Sequence, residues 1–225
     1  ALKFDQKLAS MPAEEFAQRF LFSFMNARKV LIGEDFRFGS HRYGDAKLLK
    51  QWGDEHDCTV ETFPDFFIKD QRVSSTKIRH ALAMGELESA SDLLGCVYSM
   101  CGRVVHGEKR GRQWGIPTAN LNVHHKALPL KGVFYVQVRR EGGALLAGVA
   151  NIGSRPTVDG TKNILEIHLF DFEESLYGEM LQISFIYKIR DEKKFPSVEA
   201  LIAEIRNDIA IAKTNFYRVG IHDRI

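Results

Sequence analysis

The sequence predicts two units of different class: an α/β segment built on parallel strands, then a small antiparallel β-barrel with a C-terminal helix. Three observations carry this. Residues 30–63 run apolar strand, helix, strand. Residues 97–189 alternate apolar and polar side chains with period two, and residues 198–212 carry an apolar stripe at helical spacing.

In the first unit, residues 2–4 precede Ser10 and Pro12, which can open a helix. Phe16, Phe20 and Phe24 recur every four residues and are expected on one apolar face. A strand at residues 30–32, a glycine- and charge-rich loop, a helix from about Asp45 and a strand at residues 59–63 give β-α-β order, the mark of a parallel doubly wound sheet. So few strands do not complete such a sheet. The unit reads as the back half of a nucleotide-binding domain.

The junction is expected within residues 84–95, where a short helix ends at Gly95, which places the units at 1–90 and 91–225. Beyond it, Phe134, Val136 and Val138 oppose Tyr135, Gln137 and Arg139 across one strand. Ile183, Phe185, Tyr187 and Ile189 oppose Gln182, Ser184 and Lys188 across another. With residues 97–105, 118–121, 145–151 and 164–170 these make about six strands, enough to close a barrel. Val198, Leu201, Ile202, Ile205, Ile209 and Ala212 form the stripe of a helix expected to pack across it.

Composition narrows the function. The chain has 225 residues, 44% apolar and 27% charged, as expected of a soluble, well-cored protein. A net charge of +2 gives no support for a nucleic-acid partner. The three cysteines, Cys58, Cys96 and Cys101, form no C-x-x-C pair and cannot all be disulfide-bonded within one chain, pointing to a reducing, cytoplasmic setting. No apolar run approaches about 18 residues, so no membrane partner is expected.

The chemistry concentrates in residues 102–120. Gly102, Gly107, Gly111 and Gly115 punctuate a segment in which Arg103, Lys109, Arg110 and Arg112 face a single acid, Glu108. Glycines let a backbone approach an anion closely, and the cations can pair with phosphate oxygens. The segment is no Walker loop, since G-x-x-x-x-G-K-[ST] does not occur. Pro117 stiffens the backbone, and Thr118 and Asn120 alternate onto one side, offering two neutral oxygens suited to Mg²⁺. Without further context a basic surface hairpin explains the same residues.

Three blocks supply that context: Gly107-x-x-x-Gly111-Arg112-x-x-Gly115-x-Pro117-Thr118-Ala119-Asn120, then Gly148-Val149-Ala150-Asn151-Ile152-Gly153-x-Arg155-Pro156-Thr157, then Glu166-Ile167-His168-Leu169-Phe170-Asp171-Phe172. In this order they closely resemble riboflavin kinase, over residues 96 to about 212. The resemblance implies a six-stranded antiparallel β-barrel riboflavin kinase domain with a C-terminal helix that helps close over the flavin. It also implies Mg²⁺-ATP in the glycine loops of residues 102–120, riboflavin as acceptor and FMN as product. Glu166 would be the catalytic base. Its strand buries Leu165, Ile167 and Leu169, so Glu166 and His168 belong to the other face, and a carboxylate there can orient a hydroxyl and take its proton.

Gly102, Gly107, Lys109, Arg112, Gly115, Pro117, Thr118 and Asn120 would serve the nucleotide, with Thr118 and Asn120 as metal ligands. Asn151 and Arg155 would contact substrate from a loop held rigid by Pro156. Segment 176–178 would border the flavin, Asp171 would brace that corner, and Trp114 and Phe195 offer aromatic surface. His168 is read as structural, like His124 and His125.

In the first unit, Ile32-Gly33-Glu34-Asp35-Phe36-Arg37-Phe38-Gly39 with Arg42, Gly44 and Asp45, and Val73-Ser74-Ser75-Thr76-Lys77-Ile78-Arg79, resemble the FMN adenylyltransferase module of bacterial bifunctional enzymes. The unit then reads as a remnant of a Rossmann-like nucleotidyltransferase domain. The second motif implies Ser75, Thr76 and Arg79 at a helix N-terminus meeting ATP phosphates, where free N–H groups attract anions. Family members also carry a His-x-Gly-His signature near the N-terminus, and it does not occur here. Such preorganised charge is worth orders of magnitude in rate, so FMN rather than FAD is the expected product. FAD synthesis is the alternative, requiring a further N-terminal segment, and a non-catalytic flavin- or nucleic-acid-binding barrel is a second.

Overall fold

A computed structural model describes the chain except residues 1, 108, 124–127, 144, 158–159 and 220–225, and side chains at 110, 154–157, 160–163 and 215–219. It divides into two compact units, Ala1–Val73 and Ser74–Ile225.

The first unit opens with α1 (Gln6–Ala9), capped by the Asp5 carboxylate on Leu8 N–H, and α2 (Ala13–Phe16), which runs into a π-helical segment, Ala17–Phe24. The Met25 N–H donating to Phe20 O marks the wider turn. It breaks the expected phenylalanine face. Phe16 and Phe20 still touch, with ring centroids 5.4 Å apart. Phe22, not Phe24, enters the core, and Phe24 is 82% exposed.

Strands β1 (Lys29–Gly33) and β2 (Thr59–Phe63) pair in parallel around α3 (Ala46–Asp54), which Asp45 caps at Leu48 N–H. This is the predicted β-α-β arrangement, with Ile32, Phe38, Leu49, Cys58 and Val60 at its core. A small hairpin, β3 (Phe67–Ile68) and β4 (Gln71–Arg72), follows. Its Arg72 pairs with Asp35 and Asp65, both at 2.7 Å, and the guanidinium holds the Asp35 carboxyl below the usual carboxylate range.

The second unit begins with α4 (Ser75–Met84), whose Ser74 cap accepts from Lys77 N–H, and α5 (Leu87–Leu94). Both helices end on glycines in the left-handed region, Gly85 and Gly95. Ala81, Leu82, Leu87 and Ala90 join the barrel core, so these helices pack with the barrel although the sequence texture changes only at residues 84–95.

Then come β5 (Ser99–Val105), α6 (Arg110–Gln113), β6 (Ala119–Asn122), β7 (Gly132–Arg140), β8 (Leu145–Thr157), β9 (Gly160–Leu169), β10 (Met180–Arg190) and α7 (Val198–Val219). The six strands close in the order β10-β5-β6-β9-β8-β7, all antiparallel. The barrel is the predicted one.

Phe134, Val136, Val138, Leu165, Ile167, Ile183 and Phe185 fill its interior. Strand β8 continues to Thr157, so Asn151 and Arg155 lie on a strand and not on a loop. In β10 the alternation expected through Ile189 is broken. Register shifts between Phe185 and Tyr187 and again before Arg190 insert an extra residue each time. Ile183 and Phe185 face inward as predicted. Tyr187 and Ile189 turn outward to a second cluster with Val133, Tyr135 and Val149, on which Ala212 and Ile209 of α7 sit. There Tyr135 stacks on Tyr187 at 5.1 Å, and burial pushes its phenol up to about 12. Val198, expected in the stripe, is exposed at the helix start.

The barrel core rests on a T-shaped Phe134–Phe185 pair, 5.6 Å between centroids. Phe185→Ala should cost about 3–5 kcal/mol of stability, measurable by denaturant unfolding. Cys58 is buried and its thiol pushed up, whereas Cys96 and Cys101 are exposed. Labelling with a thiol reagent should show two fast sites and one that reacts only on unfolding.

Candidate functional site

The site is assembled by the register of three neighbouring strands. Asn120 on β6 pairs with Glu166 on β9, and Glu166 pairs with Asn151 on β8. Each sits between residues whose side chains enter the barrel core: Leu121 beside Asn120, Leu165 and Ile167 around Glu166, Ala150 and Ile152 around Asn151. Alternation turns all three polar side chains to the outer surface in one row. The row continues on both sides, to Val105 on β5 and through Val133 on β7 to Arg190 on β10.

Over this row lies a cleft of about 870 Å³ between the barrel wall, the segment after β5 and the start of α7. Its volume falls in the range of small-molecule sites. One end is polar, with His106, Gly107, Lys109, Gly111, Thr118 and Asn120. The other is largely apolar, with Val133, Val149, Phe195, Leu201, Ile205 and Ile209. Glu166 and Asn151 lie between.

At the polar end the glycines are sterically required. A Cβ on Gly107 would overlap the Asn120 amide, and one on Gly111 would overlap Ile116 O and come to 3.5 Å from Thr118 Oγ1. The chain folds tightly over the two oxygen donors, and Lys109, in the left-handed region, starts α6 beside them. Two neutral oxygens beside one carboxylate are the kind of oxygen donors that suit Mg²⁺, which takes few protein ligands and fills its octahedron with water and phosphate oxygens. Among the described residues no group of three or more His, Cys, Asp or Glu side chains converges.

Of the residues singled out in the sequence, Gly107, Lys109, Thr118, Asn120, Asn151 and Glu166 meet in the cleft, with Trp114 and Phe195 on its lining. Others do not line it. Gly102 is an inward position of β5, where a Cβ would meet Leu121 and Val123 at 3.2 Å. Gly115 takes a left-handed turn after α6, and Arg112 is exposed on α6. Pro117 acts through its carbonyl, which His168 Nδ1 meets at 2.9 Å. His168 thus ties β9 to the segment between α6 and β6 while lining the cleft.

The side chain of Arg155, and His124 and His125 altogether, lie outside the described residues. Ser75, Thr76 and Arg79 are exposed on the first turns of α4, apart from the cleft. Leu176 is a core residue, Tyr177 packs at a tilt on His106 with ring centroids 4.1 Å apart, and Gly178 turns the chain with a positive φ. Asp171 braces α7 by an ion pair to Lys213 at 3.0 Å.

Sequence reasoning missed the far wall. Arg190, Glu192, Lys193 and Asp208 line the cleft beside the apolar residues of α7. Asp208 is 2% exposed, and its carboxylate takes a two-pronged pair from Arg190, Nε to Oδ1 at 2.9 Å and Nη2 to Oδ2 at 2.8 Å. Glu204 accepts from Lys193 at 2.5 Å, and that ammonium holds its carboxyl below the usual range. The available signal was a carboxylate inside an apolar helical stripe, between Ile205 and Ile209. A buried Asp demands a partner of opposite charge.

Residues 94–216 match the riboflavin kinase family model, and residues 1–77 match that of FAD synthetase. The bifunctional riboflavin kinase/FMN adenylyltransferase of Haemophilus influenzae is 43% identical over 214 residues, 95% of this chain and 70% of that protein. The Escherichia coli K12 protein of the same name is 40% identical over 96% of this chain and 69% of its own length. A crystal structure from Streptococcus pneumoniae, described as a macrolide-efflux protein, superimposes with a TM-score of 0.72 at 34% identity, over 94% of this chain and 68% of that one. On the strength of the kinase-family match and of relatives this similar over two thirds of their length, the chain belongs to the bifunctional riboflavin kinase/FMN adenylyltransferase family.

Proposed function

We propose that residues 91–225 act as a riboflavin kinase, moving the γ-phosphoryl group of ATP to the 5′-hydroxyl of riboflavin to give FMN and ADP. The observation that carries this reading is the row Asn120–Glu166–Asn151 on the cleft floor, between a polar and an apolar end. The anionic phosphates belong at the end with Lys109 and the close-packed glycines. The flat, largely apolar flavin ring belongs against Val133, Phe195 and the α7 side chains. Their reacting ends then meet over Glu166.

In this reading the Glu166 carboxylate orients the 5′-hydroxyl and takes its proton as the oxygen attacks the γ-phosphorus. The bond from phosphorus to the β-phosphate bridging oxygen breaks, and ADP leaves with the electron pair. Thr118 and Asn120 would hold Mg²⁺, which neutralises phosphate charge when bound. Lys109 adds a cation to the same oxygens, and Asn151 hydrogen-bonds the acceptor next to Glu166. Catalysis rests on positioning and charge neutralisation. The free thiols Cys58, Cys96 and Cys101 support a cytoplasmic setting.

A second activity, adenylyl transfer from ATP to FMN, has one specific observation in its favour: the FAD synthetase match of residues 1–77, which reaches into α4. Under it, Ser75, Thr76 and Arg79 at the α4 N-terminus would receive the ATP phosphates. FAD would then appear after FMN in a coupled time course.

Glu166→Gln keeps the shape and removes the base. Its kcat should fall by about 10²–10⁴ with riboflavin affinity within about threefold. Equal loss of both, measured by FMN formation and flavin fluorescence titration, would contradict the base assignment. Asn120→Ala and Gly107→Ala should both raise the Mg²⁺ concentration needed for half-maximal rate, the second because its methyl displaces the Asn120 amide. A metal titration unchanged in both would remove Asn120 from the ligand set.

A further inference from the structure

We propose that the buried Arg190–Asp208 pair is a positioning device that sets the KM for riboflavin and takes no part in phosphoryl transfer. The inference rests on the kinase reading above, and its substance is a role for two residues on the far wall.

Distance gives the first reason. Arg190 and Glu166 belong to one row but are three strands apart, through Asn151 and Val133. At about 4.8 Å per strand that is roughly 14 Å along the barrel surface, which puts Arg190 at the opposite end of the cleft lining from Asn120.

The second reason is what the pair holds. The segment 191–197 and the first turns of α7 form the apolar end of the cleft, through Phe195, Leu201, Ile205 and Ile209. Arg190 pins both. Its Nε and Nη2 grip Asp208 on α7, and its Nη1 donates to Asp191 O at 3.0 Å. The guanidinium also lies 5.6 Å from the Phe195 ring centroid, with Lys193 on the same ring at 5.3 Å. Lys193 and Arg190 both reach Glu204, one turn before Asp208. A ring of charges thus fixes the orientation of one aromatic and one helix face.

The third reason is cost. A carboxylate 2% exposed on an otherwise apolar helical stripe is unfavourable unless held by a geometrically demanding partner. Apolar packing alone would seat α7 on the barrel, as Ala212 and Ile209 already do against Val149 and Tyr135. Apolar contacts are non-directional, however. The forked pair adds a fixed register between α7 and β10, as a flat ligand wall requires.

The experiment is steady-state kinetics of FMN formation, with riboflavin fluorescence quenching as a turnover-independent measure of binding, on wild type, Asp208→Asn and the double variant Arg190→Met/Asp208→Leu. Asp208→Asn should raise the riboflavin KM and Kd about tenfold and leave kcat and the ATP KM within about twofold. The double variant replaces the pair by apolar side chains of similar length, which commonly restores stability. It should recover the wild-type melting temperature and keep the raised riboflavin KM, whereas recovery of KM along with stability would reduce the pair to structural glue. A riboflavin KM within twofold of wild type in Asp208→Asn, or a kcat that falls in step with affinity, would overturn the proposal. Should Asp208→Asn fail to fold, Lys193→Met at the exposed end of the network decides by the same split, with an expected rise of about threefold and overturned by none. If wild type makes no FMN, the kinase reading fails, while the quenching Kd ratio still judges the pair.

Discussion

The register of β6, β9 and β8 is the constraint on which the site depends. A strand slipped by one residue moves every side chain to the other face. Here such a slip would put Glu166 into a core filled by Leu165 and Ile167 and leave those two in the cleft. The apolar interior therefore fixes the polar row from behind, and Asn120, Glu166 and Asn151 are held side by side by hydrogen-bonded backbone. A site on strands is stiffer than one on loops. Closure of the barrel removes the free edges along which such a slip would occur.

Opposite that row stand two walls built from other parts of the chain. On one side the glycine segment lies so close to Asn120 and Thr118 that a side chain at Gly107 would displace the Asn120 amide and one at Gly111 would strike Ile116 O. On the α7 side two extra residues in β10 turn Tyr187 and Arg190 outward and so create both the seat of α7 and its charged clasp. The bulges convert a strand that starts in the core into one that ends in the site.

Much of this was legible in the sequence, for identifiable reasons. The barrel could be read because most of its strands keep an unbroken period of two, and the β-α-β order of the first unit because its strands are short apolar runs. Glu166 stood out because its neighbours Leu165 and Ile167 declare the buried face. What failed were departures from regular period: the π-helical turn that buries Phe22 and exposes Phe24, and the bulges that send Tyr187 away from Phe185. Neither leaves a mark in residue type. The Arg190–Asp208 clasp escaped for another reason, since pairing between a strand end and a helix 18 positions later is a property of packing. Gly102 shows the converse, a glycine grouped with its neighbours by spacing that faces Leu121 and Val123 in the barrel.

The most direct test incubates the purified chain with riboflavin, ATP and Mg²⁺ and resolves flavins and nucleotides by chromatography. A riboflavin kinase yields FMN and ADP formed one for one. Riboflavin left unchanged under conditions where it binds would contradict the kinase reading, and would leave a flavin-binding barrel without kinase chemistry.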